Sequence, residues 1–229
     1  MHDSELSIQN IFQIGSFGIT NTIVTTWAIM LALILFVYLY RSRFAAGSGK
    51  LKTAVDAVII AMEDAIAAAA PEHSKRLLPF IASLWIFLLV SNLVGLLPGA
   101  HSPTRDLSAT AALAAMVFFS VHWFGIRISG LKAYLAHYLS PTPLLLPFHL
   151  ISEVSRTIAL AVRLFGNMMS LEMTALLILM VAGFLAPIPI LLLHIIEALV
   201  QAYIFGMLAL VYIASGIQAQ QHRKLQSEE

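Results

Sequence analysis

The chain of 229 residues contains no cysteine and little charge, and each shortage excludes a class of protein. Without cysteine there is no disulfide framework, no thiol nucleophile and no Cys-ligated metal. Charged residues make up 11% of the chain against 59% hydrophobic, whereas a soluble domain carries roughly 25% charged residues. That is too little charge to cover a water-facing exterior, so the chain reads as an integral membrane protein. Lys and Arg are also missing from the first forty residues, where Asp3 and Glu5 precede the first apolar run. A secretory leader starts basic and ends at a small-residue cleavage site, so this segment is expected to be retained. Catalytic signatures are missing as well. There is no Gly-x-Ser-x-Gly and no His-Glu-x-x-His, and the Gly47–Lys50 stretch "GSGK" lacks the spacing of a phosphate-binding loop. No His/Asp/Glu group has metal-ligand spacing, and no cofactor is expected. The basic residues flank apolar runs, which argues against nucleic-acid binding. No inverted repeat of the kind secondary transporters use is present.

Long apolar runs dominate what remains. A spanning helix needs about 20 mostly apolar residues, and five stretches qualify: Ile19–Tyr40, Leu77–Leu97, Leu107–Ile126, Leu144–Val181 and Ile188–Ala214. At ~1.5 Å per residue the fourth overshoots a ~30 Å hydrocarbon core and is expected to tilt or to begin in the interface. Pro98 and Gly99 end the second run, and "AGFLAPIP" forms a tight turn between the last two. Ala54–Ala70 is apolar but carries Asp56, Glu63 and Asp64 near one helical face, the pattern of an amphipathic interfacial helix. The expected fold is therefore an all-α membrane protein with five transmembrane helices plus one amphipathic interfacial helix, the last two spans long and tilted. It forms one polytopic domain over 1–229: an external segment 1–18, a first span 19–40, a cytoplasmic-side amphipathic segment 47–75, and channel helices 76–221. With five spans, Arg41, Arg43, Lys50, Lys52, Lys75, Arg76, Arg127, Lys132, Arg223 and Lys224 share one side and only Arg105 falls on the other. Basic residues mark the cytoplasmic side, which puts the N-terminus outside and the C-terminus in the cytoplasm.

Two cations, Arg156 and Arg163, fall inside the fourth run. A central arginine costs about 2.5–3.5 kcal/mol on insertion scales and cannot escape by deprotonating. Helical spacing places His149, Glu153, Arg156, Arg163, Asn167, Ser170 and Thr174 on one stripe, thinned by Gly166. Glu172 stands a half-turn out of phase with Arg163 and ~13.5 Å along the axis, so the two serve different surfaces. His194, Glu197 and Gln201 form a second stripe on the last run. Across a short turn the two helices are antiparallel, so Glu172, His194 and Glu197 are expected at similar depth, with Arg163 and Gln201 deeper. Each residue alone has a structural explanation: a hydrogen-bonded core histidine, carboxyls that hold helices together, a structural ion pair. Together, in depth order on adjacent helices, they point to an ion pathway. His122 has no partner legible in sequence, and His73, His101 and His137 read as loop residues.

The segment "VRLFGNMMSLE" carries a specific likeness. With "HIIEALVQAYIF" and "SNLVGLLPG", it resembles subunit a of the membrane (Fo) sector of F-type ATP synthase. The likeness runs from about Lys75 to Ser215. Arg163 matches the family's essential arginine, and Glu172 its acid nine residues on. His194, Glu197, Gln201, Ala202 and Phe205 match the last helix, and Asn92 and Pro98 the end of the second. Leu171 departs from the Gly that many relatives place before the acid. The short N-terminal lead resembles an alternate bacterial branch, and the coupling ion implied is H+ or Na+.

That resemblance implies a stator ion channel in a bacterial inner membrane, not catalytic alone, beside a c-subunit ring and peripheral-stalk b subunits. It implies that two offset half-channels pass ions to and from the ring's carboxylates. Arg163 would face the rotor and block leakage, Glu172, His194 and Glu197 would line the outer access, and Asn167 and Gln201 would orient Arg163. Glu153 and Arg156 would face the inner exit or pack against a stator partner. A self-contained transporter and a non-transporting membrane scaffold are the alternatives.

Overall fold

The computed structural model describes residues 10–14, 17–43, 49–97, 102–131, 134, 146–183 and 188–226. Six long helices occupy this range: α1 Asn21–Arg43, α2 Lys50–Ala69, α3 Ser74–Val94, α4 Leu107–Ser129, α5 Leu146–Ala182 and α6 Ile188–Gln226. All but α2 are long and apolar enough to cross a membrane, so the five-span helical architecture holds. Pro98, Gly99, His101, Lys132, His137 and the middle of the last turn, 184–187, lie outside the described residues.

The first span starts later than the run of apolar residues suggests. Ile19 belongs to a strand, β2 Phe17–Thr20, which pairs antiparallel with β1 Asn10–Ile14, Phe12 opposite Ile19 and Ile14 opposite Phe17. Short aromatic and β-branched segments suit a pleated ribbon, and the helix takes over at Asn21, where Thr25 and Thr26 bond back to the Asn21 and Thr22 carbonyls. The other boundaries follow local chemistry. Asp106 caps α4 by accepting from the Ser108 amide at 2.9 Å. Gly130, at φ 84°, lets the chain leave α4 in a conformation other residues resist. At 37 and 39 residues, α5 and α6 exceed what a perpendicular crossing requires and must tilt or project beyond the hydrocarbon.

The distribution of polarity is inverted relative to a soluble protein. Trp27, Leu31, Phe119, Trp123, Phe148 and Met180 are exposed, while Asn92, Thr104, Thr110, His194 and Gln201 are buried. Apolar residues outside and polar ones paired inside are what hydrocarbon solvent demands. One core joins α2 (Ile66), α3 (Leu77, Ile81, Leu88), α4 (Val117, Val121), α5 (Leu160, Leu164) and α6 (Phe205, Leu210, Ile213). α2 packs into it at Ile66 but leaves Val58, Ile59 and Ile60 exposed, with Asp56 and Glu63 half-buried. α1 buries only Ile29 among its described side chains.

Close approach of α3 to α6 depends on Gly206. A Cβ there would overlap the Trp85 indole, which stacks on Tyr203 at 5.9 Å and donates Nε1–H to the Tyr203 carbonyl at 3.2 Å. Small residues permit such approach where water does not drive helices together. Gly166, by contrast, has nothing within 4 Å of the point a Cβ would occupy. Gly206→Ala is therefore expected to destabilise by about 1–3 kcal/mol through overpacking, and Gly166→Ala to stabilise by up to about 1 kcal/mol through helix propensity. Thermal unfolding of the detergent-purified variants checks both signs.

Candidate functional site

Two matched contacts set the register of α5 on α6. Asn167 Nδ2 donates to Gln201 Oε1 at 2.8 Å, and eleven residues along each helix the Arg156 guanidinium lies over the Tyr212 ring at 5.6 Å. In that register Arg163 is level with Phe205 and Glu172 with Ile196. Arg163 projects from an exposed face of α5, and no hydrogen bond or ion pair engages it among the described residues. The bond expected from Asn167 and Gln201 to Arg163 is instead a bond between the two amides. Gln201 is 1% exposed, and its Nε2 has no hydrogen-bond partner among the described residues.

Polar side chains gather in two zones. At the end carrying the Pro103–Arg105 turn, His194 is buried beside the Asn92 backbone, within electrostatic reach of Glu172 and Glu197. Of the three groups expected at similar depth, His194 is thus within reach of both carboxylates. Glu172 also has a partner that sequence reasoning missed: Arg105 Nη1 donates to its Oε1 at 2.7 Å, each side chain 20% exposed. The turn itself is anchored by a buried chain of bonds. Ser102 Oγ meets the Ser91 carbonyl at 2.8 Å and Thr104 Oγ1 at 2.6 Å, and Thr104 donates to Asn92 Oδ1 at 2.7 Å. Asn92 Nδ2 continues to the Ala198 carbonyl at 3.4 Å.

At the opposite end a cavity of ≈ 240 Å³ opens between α4, α5 and α6, lined by His149, Glu153, Arg156, Thr157, Tyr212 and Ser215 among others. Its lining mixes polar and apolar groups, and it is large enough for several waters. His122 approaches Glu153 at 3.7 Å, a partner for the histidine that had none in sequence. Glu153 and Arg156 therefore line a space between the helices.

Between the zones the α5–α6 contact is mostly apolar, interrupted by the Asn167–Gln201 amide pair. Leu160, Leu164 and Met168 meet Ala202, Phe205 and Ala209, all buried. Glu172 and Arg156 stand ~24 Å apart along α5, and Arg163 lies between them on the outer face. Ser170 and Thr174 continue that face, both exposed. Among the described residues no group of three or more metal-ligating side chains converges.

Known proteins share this sequence over most of its length. The family described as ATP synthase A chain matches residues 23–214. The chain belongs to that family. It is 60% identical over 210 residues, 91% of each chain, to ATP synthase subunit a of Legionella pneumophila strain Philadelphia 1. It is 56% identical over 221 residues to ATP synthase subunit a 2 of Pelobacter propionicus, covering 96% of this chain and 97% of that one. ATP synthase subunit a 1 of Hahella chejuensis is 62% identical over 205 residues, 90% and 87% of the two chains. Family and apolar helices together make this a multi-pass bacterial membrane protein that serves ion translocation in an F-type ATP synthase.

Proposed function

We propose that this chain provides two offset half-channels in the stator of a rotary ATP synthase, with Arg163 as the barrier between them and the counter-charge for the c-ring carboxylates. The observation that carries the reading is the division of polar groups into two zones, separated by a mostly apolar buried contact, with an exposed arginine at the intermediate level. An ion leaving either zone through the mostly apolar α5–α6 contact would lose its polar partners, which favours a sideways step onto a carrier. An ionised carboxylate in hydrocarbon is costly. Beside Arg163 it is stabilised and releases its ion; away from Arg163 it must be neutralised before it enters lipid. Glu172, His194 and Glu197 serve the outer zone, and His122, His149, Glu153 and Arg156 the inner one. The basic flanks of α1, α2, α3 and α4 support a cytoplasmic inner zone, with the N-terminus outside. Peripheral-stalk b subunits and the lipid bilayer cover other apolar faces.

The cysteine-free sequence permits a clean test. Ser170→Cys, on the exposed stripe of Arg163, should cross-link under mild oxidation to a cysteine introduced beside the carboxylate of subunit c. Met168→Cys, on the buried side, should not. Cross-linking from Met168→Cys alone, or from neither site in assembled complexes, would overturn the rotor-facing assignment.

A further inference from the structure

Arg105 is the one arginine or lysine of the outer-end connection, and the fold fixes its position tightly. The turn that carries it is anchored to α3 through Ser91 and Asn92 and, through Asn92, to the Ala198 carbonyl of α6. Thr104 beside it is 0% exposed, and Gly95 leaves room for Ser102, whose Cβ would lie 3.1 Å from a Cβ at that position. Asp106, the neighbouring acid, is committed to the α4 N-terminus through Ser108. The guanidinium thus reaches across to α5 and meets Glu172 at 2.7 Å, mostly out of solvent.

We infer that Arg105 is a positioning residue for the outer ion access: by pairing with Glu172 it sets the affinity of that access for the coupling ion. This rests on the half-channel reading above. Arg105 on the turn pairs with Glu172, and His194 on α6 lies within electrostatic reach of both Glu172 and Glu197, with Asp106 next to Arg105 and the Asn92 backbone behind His194. Without Arg105 this vestibule would hold two carboxylates and one imidazole, a strong cation trap. With Arg105, one carboxylate is compensated, and the ion exchanges among the remaining groups without being held. A strut that merely tied the turn to α5 would need no charge on either partner.

The test uses the intact complex in membrane vesicles, with ATP synthesis measured against the coupling-ion concentration on the access side. Arg105→Gln leaves the Glu172 carboxylate without its 2.7 Å partner and the vestibule more attractive to cations, so half-maximal synthesis should move to at least about tenfold lower ion concentration. In a proton-driven complex this is an alkaline shift. Arg105→Lys should shift it far less, and Arg105→Gln combined with Glu172→Gln should return it close to wild type, because both charges are gone. A structural strut predicts the opposite for the pair: a lowered maximal rate, unchanged ion dependence, and no rescue. That outcome would overturn the inference. Should Arg105→Gln fail to assemble, Arg105→Lys and the double variant decide by the same criterion. Arg163→Ala in the same vesicles separates the two levels: survival of coupling there sinks the half-channel reading, whereas loss of coupling there with no shift in the Arg105 series sinks only this inference.

Discussion

Arg163→Ala is expected to abolish coupled ATP synthesis in the assembled complex while passive flow of the coupling ion persists or rises. The cation stands on an exposed face, level with the buried Phe205, and no group of its own chain compensates it among the described residues. Keeping it in hydrocarbon costs about 2.5–3.5 kcal/mol, and the same order of energy is what it returns to an ionised carboxylate arriving from the rotor. Removing it should therefore lower the coupled rate by a factor on the order of 10² or more. It should also remove the repulsion that stops a cation stepping directly from one zone to the other. Arg163→Lys keeps the charge but replaces a planar fork with a compact, strongly hydrated ammonium, so coupling should fall less, with little leak. The measurement is ATP synthesis and passive flux in the same vesicles under proton and under sodium gradients. The ion that leaks through Arg163→Ala identifies the substrate. Coupled synthesis that survives the alanine would show that the arginine is structural.

Much of this architecture is legible in the sequence, and the reasons differ from element to element. The spans announce themselves because hydrocarbon thickness requires long apolar runs, and that requirement does not depend on packing. The stripe from His149 to Thr174 is legible because helical period is a property of one helix. Its exposure at Arg163, Ser170 and Thr174 is consistent with a partner on that side. The short N-terminal ribbon merges into the first apolar run, since five apolar residues in a row of ten do not tell a strand from a helix start. What sequence does not supply is rotation of one helix against another. His122 and Glu153 approach because α4 turns that face toward α5, and neither helix's own period encodes the angle. Arg105 and Glu172 are 67 positions apart and meet only because a buried hydrogen-bonded chain aims the turn. The clue available was compositional: a lone arginine on the side otherwise free of basic residues.

The two zones are also built differently, which bears on how each responds to change. The inner zone is a cavity, bordered by long side chains such as Arg156 stacked on Tyr212, and it can re-solvate when one residue is lost. The outer zone is a web of short direct bonds among Asn92, Ser102 and Thr104. Each interhelical hydrogen bond in a membrane contributes only about 0.6 kcal/mol on average, so the web acts by geometry more than by stability. Losing one bond should displace Arg105 or His194 rather than unfold the bundle.

Gln201→Leu is expected to reduce coupled activity by about one to two orders of magnitude, more than Asn167→Leu does, with little loss of assembled complex. The amide pair is a polar contact within the mostly apolar layer between the zones, about one helical turn from Arg163. Both substitutions break the 2.8 Å bond that fixes α5 on α6 at that level, and a displacement of ~1 Å at a reacting group can cost about 10² in rate. Gln201→Leu additionally removes the buried Nε2 donor, which no group among the described residues uses. If the shared bond is the whole story, the double variant will be no worse than either single, and the two singles will match. If Nε2 has its own task, Gln201→Leu will exceed Asn167→Leu, and adding Asn167→Leu to it will cost almost nothing more. A double-mutant cycle on ATP-driven ion pumping measures the difference. Strict additivity of the two losses would show that the amides act independently, and the bond between them would then have no part in placing Arg163.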